Sequence, residues 1–169
     1  MTTSTERHRL PFDPIQEASR LWGLRWEETP RMRAVTSLMR VHQLVLTELD
    51  ELLRPLGLTF ARYEVLVLLS FSRRGALPLG KIGERLQVHA TSVTPLVKRL
   101  ESAGLIQRTP HPEDGRAVLA SITPEGRQVL QQATDAIVSA QFALSSLTDE
   151  QCDELTQLLA PPRAAAGDF

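Results

Sequence analysis

Residues 79–122 read LGKIGERLQVHATSVTPLVKRLESAGLIQRTPHPEDGRAVLASI, and this stretch decides the fold. Residues 81–86 predict a short helix with Ile82 and Leu86 turned inward. Val88-His89-Ala90 is a tight link. Residues 91–103 predict a second helix, with Val93, Leu96, Val97 and Leu100 on one face and Gly104 as its C-terminal stop. The period then shortens from helix to strand. Leu105-Ile106-Gln107-Arg108-Thr109 and Ala117-Val118-Leu119-Ala120-Ser121-Ile122 read as strands. Between them, Pro110-His111-Pro112-Glu113-Asp114-Gly115-Arg116 is rich in turn formers and predicts a long-tipped hairpin.

Two short helices joined by a tight turn and followed by a two-stranded hairpin define a winged helix-turn-helix. The second helix of such a unit is narrow enough for the major groove, where its outward residues meet base edges. Here those residues are Thr91, Ser92, Thr94, Pro95, Lys98 and Arg99. Hydroxyls bond phosphates or bases, and Lys98 can neutralise a phosphate. Arg116 stands at the hairpin tip, placed for a flanking minor groove, and Asp114 can hold its guanidinium by a charge-assisted bond. Arg73 and Arg74, in the turn Arg73-Arg74-Gly75, suit either the DNA backbone or plain solvation. His89 and His111 flank the same segments and suit either a phosphate or solvent.

Outward from this centre, residues 1–12 are polar and expected to be loose. Asp13-Pro14 opens an amphipathic helix over 14–27, and Thr29-Pro30 interrupts it. A long helix follows over 30–55 on the spacing of Val35, Leu38, Met39, His42, Val45, Leu46, Leu49, Leu52 and Leu53, with Gly57 as its stop. Thr59 caps a helix over 60–71. Leu77-Pro78-Leu79 reads as a brief strand or a helix entry. Beyond the hairpin, Thr123-Pro124-Glu125 starts a helix reaching about Leu144. Thr148-x-x-Gln151 is a capping box for a last helix to about Leu159, which Pro161-Pro162 is expected to stop.

The whole chain has 169 residues, of which 42% are hydrophobic and 23% charged, with a formal net charge of −1. That balance excludes wholesale disorder and at first argues against a nucleic-acid partner. The distribution reverses the second inference. Residues 71–109 carry 7 basic and 2 acidic side chains, whereas residues 128–169 carry a single arginine against 6 carboxylates. Partner choice follows the local field rather than the sum. No apolar run approaches the roughly 20 residues of a membrane helix, and the first residues have no apolar signal region, so a cytoplasmic protein is expected. The one cysteine, Cys152, sits among Asp149, Glu150, Asp153 and Glu154, which disfavour a reactive thiolate. His8, His42, His89 and His111 fall in different elements without metal-ligand spacing, so neither metal nor other cofactor is expected. No nucleophile elbow, P-loop or dinucleotide fingerprint is present, and catalysis finds no support.

The run Leu100-Glu101-x-x-Gly104-Leu105-Ile106-x-Arg108, then Asp114-x-Arg116-x-x-x-x-x-Ile122-Thr123-x-x-Gly126, resembles the multiple-antibiotic-resistance regulator (MarR) family of bacterial repressors. Leu79-x-x-Ile82-x-x-x-Leu86 and Thr91-Ser92-Val93-Thr94-x-Leu96-Val97-x-Arg99-Leu100 fit the same pattern, and element order agrees over about 30–160. The resemblance implies a mainly α fold with a small β part, a winged helix-turn-helix carried between long N- and C-terminal dimerisation helices. It divides the chain into a flexible start at 1–12, an extension and dimerisation helix at 13–56, a DNA-binding region at 57–122 with its wing at 105–122, dimerisation helices at 123–160 and a tail at 161–169. It further implies a homodimeric repressor that binds double-stranded DNA at a pseudo-palindrome and is released by a small aromatic or anionic effector. Trp22, Trp26, His42, Arg62 and Tyr63 would line such a ligand; in the alternative, the tryptophans are core or seam residues and His42 a satisfied buried histidine. Two features depart from the family pattern. Pro95 stands inside the reading helix, where it should bend the helix or push its start later. Residues 13–29 extend the chain ahead of the first long helix. A winged-helix module that binds protein through the 91–103 face, and an enzyme using the fold as scaffold, are the competing classes.

Overall fold

The computed structural model describes residues 10–27, 30–111 and 117–169. The elements run α1 (Pro14–Gly23), α2 (Pro30–Leu53), a 3-10 turn (Arg54–Leu56), α3 (Phe60–Phe71), β1 (Ala76–Pro78), α4 (Leu79–Leu86), α5 (Ala90–Ser102), β2 (Ile106–Pro110), β3 (Val118–Ile122), α6 (Pro124–Ser139), a second 3-10 turn (Gln141–Ala143) and α7 (Asp149–Ala165). The chain divides into two compact units, Met1–Leu44 and Val45–Phe169.

In the first unit, the Asp13 carboxylate accepts the Ile15 amide at 2.8 Å and Pro14 fills the first turn, so α1 begins where the sequence requires. It stops at Gly23 rather than at 27, since a glycine weakens a helix by about 1 kcal/mol relative to alanine. The early turns of α2 keep the predicted periodicity without burying it. Val35, Leu38, Met39 and Leu44 are all exposed in the single chain.

The second unit holds the core. Leu49 and Leu53 at the end of α2 are buried together with Val65, Leu66 and Leu69 of α3, Ile82 of α4, Val93, Val97 and Leu100 of α5, and Ile137 of α6. The strands form one antiparallel sheet in the order β1-β3-β2, with Ile106 opposite Ile122 and Leu77 opposite Ala120. Leu77-Pro78-Leu79 thus serves both readings: the strand β1 ends at Pro78 and α4 begins at Leu79. The α3 cap differs from expectation. Thr59 makes no capping bond, and the Phe60 amide donates instead to the Asp50 carboxylate of α2 at 2.6 Å.

Four helix ends close in one way, by a left-handed residue whose successor donates back across the last turn. Gly57 and Leu58, Gln87 and Val88, Gly104 and Leu105, and Gly167 and Asp168 fill these two roles. At Gly104 the Leu105 amide reaches the Leu100 carbonyl at 3.0 Å, and both leucines are buried.

Two helix ends overturn the sequence reading. The helix from Pro124 breaks at Ala140 instead of reaching Leu144, because Gln141, Phe142 and Ala143 adopt positive φ of 48, 52 and 59°. None of the three is glycine, so composition gave no warning; left-handed L-residues cost roughly 1–2 kcal/mol each. Pro161-Pro162, for its part, does not stop the last helix, which runs to Ala165. The carbonyls of Gln157 and Leu158 lose their helical donors, but both residues are exposed, where solvent can satisfy such groups. The Thr148–Gln151 capping box is present as read.

A short staple ties α6 to the reading unit. The Thr123 hydroxyl donates to the Gly104 carbonyl at 2.8 Å and accepts the Gly126 amide at 2.9 Å, while the Thr123 amide donates to the Leu105 carbonyl at 3.1 Å. A Cβ at Gly126 would collide with that same Leu105 carbonyl oxygen. Gly126→Ala should therefore lower stability by about 2 kcal/mol, the order of an overpacked core, read as a drop in Tm of several degrees in thermal denaturation.

Candidate nucleic-acid interface

The helix expected to read DNA is α5, and its start is built from the turn that precedes it. Gln87 closes α4 in the left-handed region, and His89 then caps α5. The His89 Nδ1 accepts the Thr91 amide at 3.3 Å and lies 2.8 Å from the Thr91 hydroxyl. An accepting Nδ1 places the proton of the neutral ring on Nε2. His89 is thus engaged locally, a role the sequence reading did not foresee. Pro95 does not push the helix start later: α5 begins at Ala90 and carries the proline in its interior.

Thr91, Ser92, Thr94, Pro95, Lys98 and Arg99 are all exposed, while Val93, Val97 and Leu100 are buried and Leu96 is half-buried. The split places the six on the face turned away from the core. Gly83 lets α4 and α5 approach closely, since a Cβ there would press on the Val88 carbonyl and the Val93 side chain. Arg73 and Arg74 are exposed in the turn that the Gly75 amide closes onto Ser72 at 3.0 Å.

The wing springs from the same frame. At its base the His111 amide donates to the Ala117 carbonyl at 3.0 Å. Residues 112–116, and with them Asp114 and Arg116, lie outside the described residues. On β2, Arg108 reaches back to the end of α5, donating through both Nε and Nη2 to one Glu101 carboxylate oxygen at 2.7 and 2.6 Å. The Arg108 guanidinium holds the Glu101 carboxyl below the usual carboxylate range. The C-terminus also meets this region, where the Gln87 side-chain amide donates to the Asp168 carboxylate, itself paired with Arg163.

Of the residues proposed for an effector, Trp22, Trp26 and His42 belong to the first unit and Arg62 and Tyr63 to the second. Trp22 and Trp26 stack with ring centroids 4.6 Å apart beside a cleft of about 430 Å³, lined also by Ala18, Leu21, Leu24 and Arg25. The cation of that cleft is Arg25, which the Trp22-x-x-Arg25-Trp26 spacing could have revealed. Tyr63 belongs to the core, 6% exposed, with its hydroxyl 3.2 Å from that of Thr134. Its ring packs within that core, close to the Phe60 ring. His42 is exposed on α2. Arg62 faces a groove of about 550 Å³ shared with Pro95, Lys98, Arg99, Ser102 and Ala103. Among the described residues no cluster of metal-ligating side chains occurs, and no helix is long and apolar enough to cross a membrane.

Helix, tight turn, helix and three-stranded sheet make this chain a winged helix-turn-helix protein. Its residues 58–118 match the model of the MarR family. The HTH-type transcriptional repressor MdtR of Bacillus subtilis (strain 168) is 32% identical over 132 residues, spanning 77% of this chain and 83% of the relative. Sco5413, a MarR family transcriptional regulator from Streptomyces coelicolor, superposes with a TM-score of 0.77 at 50% identity, covering 83% of this chain and 98% of that one. Sco3205, a MarR family transcriptional regulator from the same organism solved in complex with DNA, gives a TM-score of 0.72 at 27% identity, covering 83% and 90%. The chain belongs to the MarR family of transcriptional regulators.

The Glu101–Arg108 bridge carries a pH dependence. A carboxyl whose folded value is lowered contributes stability above its unfolded value, near pH 4, and loses it as pH falls through the folded value. In acid denaturation series, Glu101→Gln should be less stable than wild type at neutral pH, and the two should converge below about pH 4.

Proposed function

We propose that this regulator is a homodimeric repressor that reads a pseudo-palindromic operator through α5 and the wing. The outward face of α5 carries the reading: hydroxyls, two cations and no carboxylate on Thr91, Ser92, Thr94, Lys98 and Arg99, all exposed. The hydroxyls bond base edges or phosphates, the cations neutralise phosphates, and Pro95 adds shape without a backbone donor. Arg116 enters the neighbouring minor groove, steadied by Asp114. Arg73 and Arg74 meet the backbone.

The dimer reading rests on apolar surface that the single chain leaves open, namely Leu21, Leu24, Val35, Leu38, Met39 and Leu44 in the first unit. A second copy burying such a face would set two reading heads about one helical turn, roughly 34 Å, apart. An effector that altered that spacing would release the operator. The cleft beside Trp22 and Trp26 supports a planar aromatic anion as that effector, since two indole faces and the Arg25 cation complement it.

Duplexes selected from a random pool should bind at least a hundredfold more tightly than scrambled ones; an absence of binding to any duplex or single strand would point instead to a protein-interaction module. On the selected duplex, Arg116→Ala should weaken binding tenfold or more, by about 1.4 kcal/mol, and an unchanged affinity would remove the wing from the interface. The effector cleft has its own signal. Trp22 and Trp26 are the only tryptophans of the chain, so an aromatic carboxylate seated there should quench intrinsic fluorescence saturably, and Arg25→Gln should shift the titration to higher concentration.

A further inference from the structure

A second cationic element borders the reading helix. The Arg62 guanidinium of α3 is half-buried and held from behind, its Nη1 donating to the Gly57 carbonyl at 2.7 Å and its Nε to the Thr59 hydroxyl at 3.2 Å. Both acceptors are neutral, so the full positive charge remains. A guanidinium has five N–H donors, and these two bonds leave three. Across the groove stand Lys98 and Arg99, with the Ser102 hydroxyl one turn further along α5. Among the described residues neither Lys98 nor Arg99 has an acidic partner, and no carboxylate lines the groove. Like charges brought together without a counter-ion are unfavourable unless an anion joins them.

We propose that Arg62, with Lys98 and Arg99, clamps a backbone phosphate of the bound duplex, so that the DNA interface extends from the helix-turn-helix onto the start of α3. This rests on the DNA-reading role proposed above. A helix seated in a major groove about 12 Å wide is walled by phosphates on both sides. The groove lies on the outward face of α5, toward its C-terminal half, where such a wall must pass. Arg62 is pre-aimed by the loop carbonyl at Gly57 and the Thr59 hydroxyl, so binding costs it little side-chain freedom. A phosphate contact of this kind adds affinity without sequence preference.

The test compares wild type, Arg62→Gln and Arg62→Lys on the selected duplex and on a scrambled one between 50 and 200 mM salt, with the fold of each variant checked by thermal denaturation. Each phosphate contact contributes about 0.9 to the slope of log affinity against log salt. Arg62→Gln should weaken both duplexes by similar factors and flatten the slope by about one unit. Arg62→Lys keeps the charge but loses the fixed fork, so it should retain the slope. If Arg62→Gln leaves slope and affinity unchanged, or if Arg62→Lys flattens the slope as much as glutamine does, the clamp is overturned. A wild-type chain that binds no duplex overturns the DNA-reading role itself and the clamp with it. A wild-type chain that binds normally beside an indifferent Arg62→Gln overturns the clamp alone.

Discussion

The contact between the first turn of α6 and the Gly104-Leu105 backbone is the constraint on which the reading unit depends. The Thr123 hydroxyl bonds Gly104 and Gly126 at once, and the absence of a side chain at Gly126 lets helix and strand meet backbone to backbone. Gly104 is the end of the reading helix and Leu105 the start of the wing. One staple therefore fixes three things together: where α5 stops, where β2 starts and where α6 leaves. Together with the Arg108–Glu101 bridge, it helps set the angle between reading helix and wing. Groove recognition requires that angle to be set before DNA arrives.

Much of this was legible in sequence, because the signals were local. The change from helical to alternating period at Leu105, the turn formers at 110–116 and the Thr-x-x-Gly motif located the unit, and Thr148-x-x-Gln151 named its own cap. The outward face of α5 followed from the spacing of Val93, Val97 and Leu100. What escaped was non-local or contrary to propensity. The α3 cap comes from Asp50, ten residues upstream on another helix, and no pattern near Thr59 reports it. Three left-handed residues without a glycine broke α6, and two prolines failed to end α7, because tertiary placement and hydration outweigh preferences of a few kcal/mol. The groove at Arg62 is lined otherwise by α5 and the residue after it, more than thirty residues away, so no local pattern announces it.

The charge pattern gains a physical meaning in this frame. The near-zero total conceals basic side chains at 73–74 and on α5, while the C-terminal carboxylates lie mainly on α7. Where those carboxylates meet cations they do so locally, as Asp168 does with Arg163. The cations on the outward face of α5 keep no such partner among the described residues. The outward face of α5 therefore carries a local positive field that the near-zero total charge does not reveal.

The Gln87–Asp168 contact closes a loop of 81 residues around the turn between α4 and α5. Gln87 holds a left-handed backbone at φ 51°, where glycine would be more comfortable, and glycine could not reach Asp168. Local strain is thereby exchanged for long-range closure. The contact gives the turn between α4 and α5 a side-chain partner far along the sequence, beside the Arg163–Asp168 ion pair at the end of α7.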